Sequence, residues 1–273
     1  MKFVFITVNF NGSEHTQLYL DSIRALQLSD DDSLQTVIVD NDSRADELAK
    51  LQQMVDPSRN EQLQLAGSNV GYFPGLNIGL ASVEKNDNTV VIVGNNDVQF
   101  ATDFIQAIKN LHIDDDVFVL APDITTRDGR KQNPHVIDRV GRLERVKADV
   151  YFAHYAVACL LSRTNSLIKK LVGRSAGLAE ERQYPQMKIK RGIGACYVLL
   201  PAFFKQNSKL DDRVFLWGEE ALFSHQVEST CGATLYTPTL KVAHSESASV
   251  SALVGRQRYQ ILKNSYKVYR QYL

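Results

Sequence analysis

Three apolar runs of this chain end on groups that can hold a phosphate, a base or a cation. Val90-Val91-Ile92-Val93 leads through Gly94 into Asn95-Asn96-Asp97, so the run delivers a carboxylate at its carboxyl end. A carboxylate there can hold a hard divalent cation, and such a cation bridges phosphate oxygens. Val37-Ile38-Val39 ends on Asp40-Asn41-Asp42-Ser43, and Val4-Phe5-Ile6-Thr7-Val8 ends on Asn9-Phe10-Asn11-Gly12. Asp40 could accept from the N–H of a nucleobase, and Asn9 or the backbone near Val8 could hydrogen-bond the same base. Taken singly, each of these groups is more often a turn or capping residue. Their weight comes from adjacent strands that would bring all three runs to one crevice.

A second group lies downstream. Phe215-Leu216-Trp217-Gly218 leads into Glu219-Glu220 and the helix-like Ala221-Leu222-Phe223. A carboxylate at a helix start with apolar walls can take a proton from a hydroxyl. The competing reading is two first-turn acids that complement the helix dipole. His244 follows a short apolar run, and imidazole is a frequent metal ligand, though a lone histidine is more often structural. Between Gly67 and Gly79 runs Ser68-Asn69-Val70-Gly71-Tyr72-Phe73-Pro74-Gly75-Leu76-Asn77-Ile78. Glycines there would let backbone N–H groups approach a phosphate, ahead of a helix N-terminus that favours negative charge. The G-x-G-x-x-G dinucleotide spacing is absent from this loop.

The elements that must position these groups alternate. Phe3–Val8, Leu34–Val39, Gln62–Leu65, Thr89–Val93 and Val117–Ala121 read as strands. Thr16–Leu26, Ala45–Val55, Leu76–Val83 and Phe104–Leu111 carry helical spacing. This order predicts an α/β fold with a mainly parallel central sheet and helices on both faces, binding its ligand at the carboxyl ends of the strands. From Pro122 to about Arg191 the chain is basic and poorly periodic, with an Asp128-Gly129 turn and an apolar piece from Val150 to Leu161. A hairpin or loop region partly over the site is expected there. Cys196–Phe204 is apolar, Thr234–Tyr236 and Leu240–Ala243 read as two short strands, and Leu253–Leu273 reads as a helix rich in tyrosine and basic residues.

Bulk properties bound the function. The 273 residues hold 31 Lys plus Arg and 31 Asp plus Glu, so the chain is neutral and unlike a nucleic-acid binder. Basic residues outnumber acidic ones between Arg127 and Arg191, a face that could meet anionic lipid or a phosphate-bearing acceptor, or simply be solvated. The three cysteines, Cys159, Cys196 and Cys231, are odd in number and lack metal-ligand spacing; they read as reduced core residues of a cytosolic protein. No run is long enough to span a bilayer, and no signal peptide is evident at Met1–Val8.

Together the motifs, in this order, resemble the inverting family 2 glycosyltransferases of GT-A fold, especially their bacterial rhamnosyltransferase-like branch. The resemblance spans roughly Met1 to Ser249. It implies a GT-A nucleotide-diphospho-sugar transferase fold as one domain over 1–273. Residues 1–121 would form the nucleotide-sugar-binding half, 122–252 the acceptor and catalytic half, and 253–273 a C-terminal helix. Val8, Asn9, Asp40, Asn69, Gly75, Asn77 and Asn96 would contact the donor. Asn95-Asn96-Asp97 is similar to the family's DXD motif, with Asp97 as the main metal ligand and His244 as a further contact to metal or diphosphate. Ile193-Gly194-Ala195-Cys196 resembles the small-residue segment near the acceptor and donor sugar. Trp217-Gly218-Glu219-Glu220 resembles the family's Glu-Asp segment. Its second position supplies the catalytic base, here Glu220 with Glu219 as rival, and Leu222 stands where the family often has an acid.

The implied activity is metal-dependent transfer, with Mn2+ or Mg2+, of a sugar from a dTDP- or UDP-sugar to a hydroxyl of a lipid-linked or oligosaccharide acceptor in bacterial surface polysaccharide synthesis (O-antigen or capsule). The expected place is cytoplasmic, peripheral at the inner membrane face, with no nucleic-acid partner. Three other readings stay open on sequence: a sugar-phosphate nucleotidyltransferase, a noncatalytic sugar-nucleotide or glycan-binding module, and a hydrolase.

Overall fold

The computed structural model describes residues 1–138, 141–161, 183–246 and 255–273. Its centre is a nine-stranded sheet. The early strands are β1 (Lys2–Asn9), β2 (Ser33–Asp40), β3 (Glu61–Leu65), β4 (Thr89–Asn95) and β5 (Val98–Phe100). The later ones are β6 (Val117–Thr126), β7 (Met187–Ile189), β8 (Cys196–Leu199) and β9 (Ala233–His244). The order is β3-β2-β1-β4-β8-β6-β9-β5, with β7 paired to β9. The first four are mutually parallel and in register, so Asn9, Asp40 and Asn95 reach one edge together. β8 runs antiparallel between β4 and β6 and brings its preceding residues, Gly192–Ala195, to that same edge.

β1, β2 and β4 are buried on both faces; their runs are mainly apolar, with Thr7, Gln35 and Thr36 buried among them. Side chains alternate. Phe3, Phe5 and Ile92 pack with Tyr19 and Ile23 of α1 (Ser13–Arg24) and with Phe104 and Ile105 of α4 (Phe104–Lys109). Val4, Ile6, Val37, Val39, Val91 and Val93 face the other way. They meet Phe73, Leu76 and Leu80 of α3 (Tyr72–Ala81), Phe203 of α7 (Pro201–Gln206), and Phe223 and Val227 of α8 (Glu219–Ser229). α2 (Ala45–Met54) closes a smaller cluster of Leu20, Ile38 and Leu51. Each such fully buried side chain contributes about 1.5–3 kcal/mol relative to exposure.

Several sequence expectations are corrected. α3 begins at Tyr72 rather than Leu76, because Gly75 and Gly79 belong to the helix. A Cβ at Gly75 would stand 2.9 Å from Val8 Cγ2, and one at Gly79 2.4 Å from Ile6 Cγ2. These two glycines serve close helix–sheet packing. β6 runs on past Pro122 to Thr126, and the two short strands expected after Thr234 are one strand, β9. The pairing shifts register between Pro122 and Asp123, opposite Pro238, so both prolines sit at a bulge where a missing donor is tolerated. Part of the stretch expected to be irregular is helical: α5 (Arg142–Ala153) and α6 (155–161). Residues 139–140 and 162–182 of that stretch, and 253–254 of the expected C-terminal helix, lie outside the described residues. Of the cysteines only Cys196 is a core residue; Cys159 is half-buried and Cys231 exposed, and all are free thiols. No described helix is long and apolar enough to cross a membrane.

The C-terminal helix α9 (Gly255–Tyr269) lies on the domain through its aromatic face. Tyr259 and Tyr266 are buried. The Phe152 ring stacks on Tyr266 at 4.4 Å, and Asp149 accepts from Tyr266 Oη at 2.7 Å and Arg270 Nη2 at 2.8 Å. These partners hold the Asp149 carboxyl down at about 2, the Arg270 hydrogen bond being the largest cause.

Candidate active site

A cavity of about 570 Å³ opens where the parallel strands end, a volume suited to a small-molecule ligand. Its floor is Val8, Phe10, Asn41, Asn95, Asn96 and Asp97. One wall is Asn69, Gly71 and Tyr72; another is Ile193, Gly194 and Ala195. The remaining walls are Leu216, Trp217, Glu219 and Glu220, and Gln132, His244 and Glu246. Of the residues singled out from sequence, Val8, Asn69, Asn96, Asp97, Glu219, Glu220 and His244 therefore share one cleft.

Asn9, Asp40, Gly75 and Asn77 do not line it. Asn9 is fully buried behind the floor, where Oδ1 accepts from Thr16 Oγ1 at 3.0 Å and Asn96 Nδ2 at 3.1 Å. Asp40 accepts from Asn9 Nδ2 at 3.2 Å and from the Ser43 N–H at 3.1 Å. Asn77 turns away, donating to Leu210 O at 2.9 Å and Asp212 Oδ2 at 3.0 Å. These residues set the backbone on which the lining residues stand. Asn41, missed from sequence, is the lining residue of the second strand end. Its Nδ2 donates to Asn69 Oδ1 and Gly71 O, and its Oδ1 accepts from the Val70 N–H. Gly71 has φ +99°, and a Cβ there would lie 2.2 Å from Phe215 O, so only glycine lets the 69–72 and 215–220 segments meet.

Asp97 and His244 are brought together by β5 and β9. Val98 pairs with His244, and the Ser245 N–H donates to Asp97 O at 2.9 Å. His244 Nε2 lies 3.1 Å from Asp97 Oδ1 and 3.4 Å from Asn95 Nδ2, while Nδ1 lies 2.7 Å from Gln132 Oε1. With Nδ1–H donating to Gln132, Nε2 presents its lone pair beside the carboxylate. That arrangement of imidazole and outer amide carbonyl suits a divalent cation. No cluster of three or more His, Cys, Asp or Glu able to hold a metal occurs among the described residues. Asp97 and His244 fit a cation that takes its other ligands from a bound phosphate group and water.

Glu219 and Glu220 open α8 and line the same cavity. Glu219 is 5% exposed and its Oε2 has no hydrogen-bond partner among the described residues. Burial, then the adjacent Glu220, pushes its carboxyl well above the usual range, which favours the protonated form. Glu220 is half-buried, and its Oε1 accepts from the Gly194 N–H at 3.3 Å. Tyr72 Oη donates to Gly194 O at 2.8 Å, and burial beside Glu219 raises its phenol well above the usual value. Arg191 lies near Glu220, 8% exposed, with Nε and Nη2 lacking hydrogen-bond partners among the described residues. Asp97, His244, Glu219 and Glu220 thus all line one cavity.

No family model and no curated protein sequence matches the chain. Solved structures do. GalNAc-T7, crystallised with UDP, GalNAc and Mn2+, aligns with TM-score 0.59 and 12% identity over 96% of this chain and 48% of its own. S. aureus TarS (residues 1–349) aligns with TM-score 0.55 and 13% identity over 99% and 73%. The mannosyltransferase PcManGT from Pyrobaculum calidifontis, in complex with GDP-Man and Mn2+, aligns with TM-score 0.55 and 12% identity over 98% and 69%. The chain thus spans about half the length of GalNAc-T7. Its mixed sheet, parallel at the early strands and flanked by helices, is the GT-A glycosyltransferase fold.

Proposed function

We propose that this chain is an inverting, divalent-metal-dependent glycosyltransferase of family 2 type, acting on a dTDP- or UDP-sugar. The observation that carries the reading is that Asp97 with His244 and Glu219 with Glu220 line one cavity. The solved structures of this fold that hold UDP or GDP-Man together with Mn2+ support it.

In this reading Asp97 and His244 would hold Mn2+ or Mg2+, and such a cation would offset negative charge on the diphosphate. Val8, Phe10, Asn41 and Asn69 receive the nucleotide. Asn96 is tied by its Nδ2 to Gly12 O and Thr16 Oγ1, which keeps the floor fixed. Glu220 takes the proton of the acceptor hydroxyl as that oxygen attacks the anomeric carbon from the face opposite the leaving nucleotide. The C–O bond to the acceptor forms as the bond to the diphosphate breaks, so the anomeric configuration inverts. Glu219, whose protonated form burial favours, donates a hydrogen bond to a sugar hydroxyl. Positioning both substrates supplies much of the acceleration.

The acceptor we propose is a lipid-linked or oligosaccharide hydroxyl in bacterial surface polysaccharide synthesis, reached by peripheral contact with the cytoplasmic membrane face. Leu143, Val146 and Val150 support that contact. They stand exposed along one side of α5, with Lys147 beside them. The decisive experiment incubates the protein with a panel of UDP- and dTDP-sugars, Mn2+, and saccharide acceptors. Metal-dependent, acceptor-dependent nucleotide release is expected with one donor class. Release without acceptor would make the protein a hydrolase, and binding without release a noncatalytic module.

A further inference from the structure

The two carboxyl groups hang from a turn that the protein holds in an unfavourable conformation. Trp217 has φ +64° and Gly218 φ +92°, so two consecutive residues are left-handed immediately before Glu219. For a residue other than glycine this conformation is unfavourable, because Cβ crowds the following carbonyl oxygen. Such a turn persists only where its surroundings over-determine it. Because Glu219 and Glu220 are the first residues of α8, the turn decides where both side chains point.

Three residues of α9 grip this turn. Ser265 Oγ donates to Leu216 O at 2.8 Å. The Tyr269 ring fills the space beside Gly218, where a Cβ would stand 2.1 Å from Tyr269 Cδ1. The Arg258 guanidinium lies 5.3 Å from the centre of the Trp217 ring. Residues 258, 265 and 269 are seven and four positions apart, so they share one face of the helix. The same helix is fixed on its other side to α5 through Asp149 and Phe152. From across the cleft, the Tyr72 N–H donates to Phe215 O at 3.0 Å and holds the other end of the segment.

We infer that α9 is a positioning clamp: Tyr269, Ser265 and Arg258 fix the Leu216–Gly218 turn and through it the reactive geometry of Glu219 and Glu220. None of the three lines the cavity, so they act through the turn and are positioning residues. The inference rests on the glycosyl-transfer reading for its effect on turnover, but its geometric part does not.

Trp217 is the single tryptophan of the chain, so its fluorescence reports the turn directly. The test compares full-length wild type with Tyr269→Ala, Tyr269→Phe and Ser265→Ala. Acrylamide quenching of Trp217, Kd for UDP with Mn2+, and nucleotide release from the sugar-nucleotide panel are measured on each. Tyr269→Ala should expose Trp217 to quenching and lower turnover about 10-fold or more, as a small displacement of a reacting group does, while the UDP affinity stays at the wild-type value. Tyr269→Phe keeps the ring and should restore both quenching and turnover. Ser265→Ala should shift both in the same direction by less, and it carries the test if Tyr269→Ala does not fold. Unchanged quenching in both the alanine variants would overturn the clamp. So would changed quenching with wild-type turnover, or loss of UDP affinity in parallel with turnover. If wild type itself releases no nucleotide, the glycosyl-transfer reading fails while the quenching result still decides whether α9 fixes the turn.

Discussion

Glu219→Gln and Glu220→Gln should differ sharply, although the two side chains are neighbours. Glu219 is buried, and burial, then the Glu220 charge, pushes its carboxyl up and favours the protonated form. An amide of the same shape is then a close replacement for a neutral acid, and the loss in turnover should stay below about 10-fold, or about 1.4 kcal/mol. Replacing Glu220 removes the proposed proton acceptor, which is worth about 100- to 10,000-fold, or about 2.7–5.4 kcal/mol. The pH dependence carries a second signature. Glu219 keeps its proton until the pH passes its raised pKa, and its ionisation then sets a second negative charge beside Glu220. Wild-type turnover should therefore fall on the alkaline side, and Glu219→Gln should lose that limb. Stability follows the same sign. The folded state binds this proton more tightly than the unfolded chain, so its contribution is complete below an unfolded carboxyl's pKa of about 4.3. That contribution declines as pH rises towards the raised folded value, a slope absent from Glu219→Gln. Steady-state nucleotide release across pH, with urea unfolding alongside, measures both. Equal losses in the two glutamine variants, or a larger loss in Glu219→Gln, would refute the assignment.

Asp97→Ala should lower turnover at least about 100-fold and abolish the thermal shift produced by UDP with Mn2+; a retained shift would remove Asp97 from metal binding. His244→Ala should weaken the Mn2+ dependence by about 10- to 100-fold, read from an Mn2+ titration. Asp123 is 1% exposed and accepts from Lys131 Nζ at 2.6 Å and Lys241 Nζ at 2.7 Å. Burial opposes its charge, but the two lysines together hold its carboxyl below the usual range. That stabilisation is present above the unfolded pKa and is lost as pH falls through the folded one, so Asp123→Asn should unfold in less urea at pH 7 and show a flatter acid slope. The expected cost is about 2–4 kcal/mol, short of the full penalty for a buried pair because the Lys241 side chain is half exposed. Replacing Leu143, Val146 and Val150 together with Asp should lower co-flotation with anionic vesicles, and a wild type that does not float would dismiss the membrane contact.

What the sequence made legible was local. β1, β2 and β4 are read correctly because each is a mainly apolar run buried on both faces, and the polar groups that follow mark the strand ends. Asp97 and His244 are legible as candidates, but their meeting depends on β5, a strand of three residues with no periodic signal. Gly75 and Asn77 mislead because their residue types suit a phosphate loop as well as they suit helix–sheet packing and a loop tie. Asn41 and Asp40 are chemically similar neighbours, and only the pleat decides which one faces the cleft. Gln132 carries no signal at all: it reaches His244 because the chain after β6 turns back and Lys131 is pinned by Asp123. Trp217 lies within the segment read as catalytic, yet nothing local shows that its neighbour must be glycine. The reason is the Tyr269 ring, contributed by a helix near the end of the sequence.

The reversed strand β8 has a consequence for how the cleft comes into being. Its insertion between β4 and β6 stitches the early parallel strands to everything that follows. Asn95 touches His244 across 149 residues of chain, and Tyr72 touches Gly194 across 122. The closure entropy of such long loops must be met before these contacts give any return. The first four strands can pair with one another without help, but the cleft is a seam that exists only once the distant part of the polypeptide has docked. Destabilising the β4–β8 junction should therefore erase ligand binding before it melts the parallel strands.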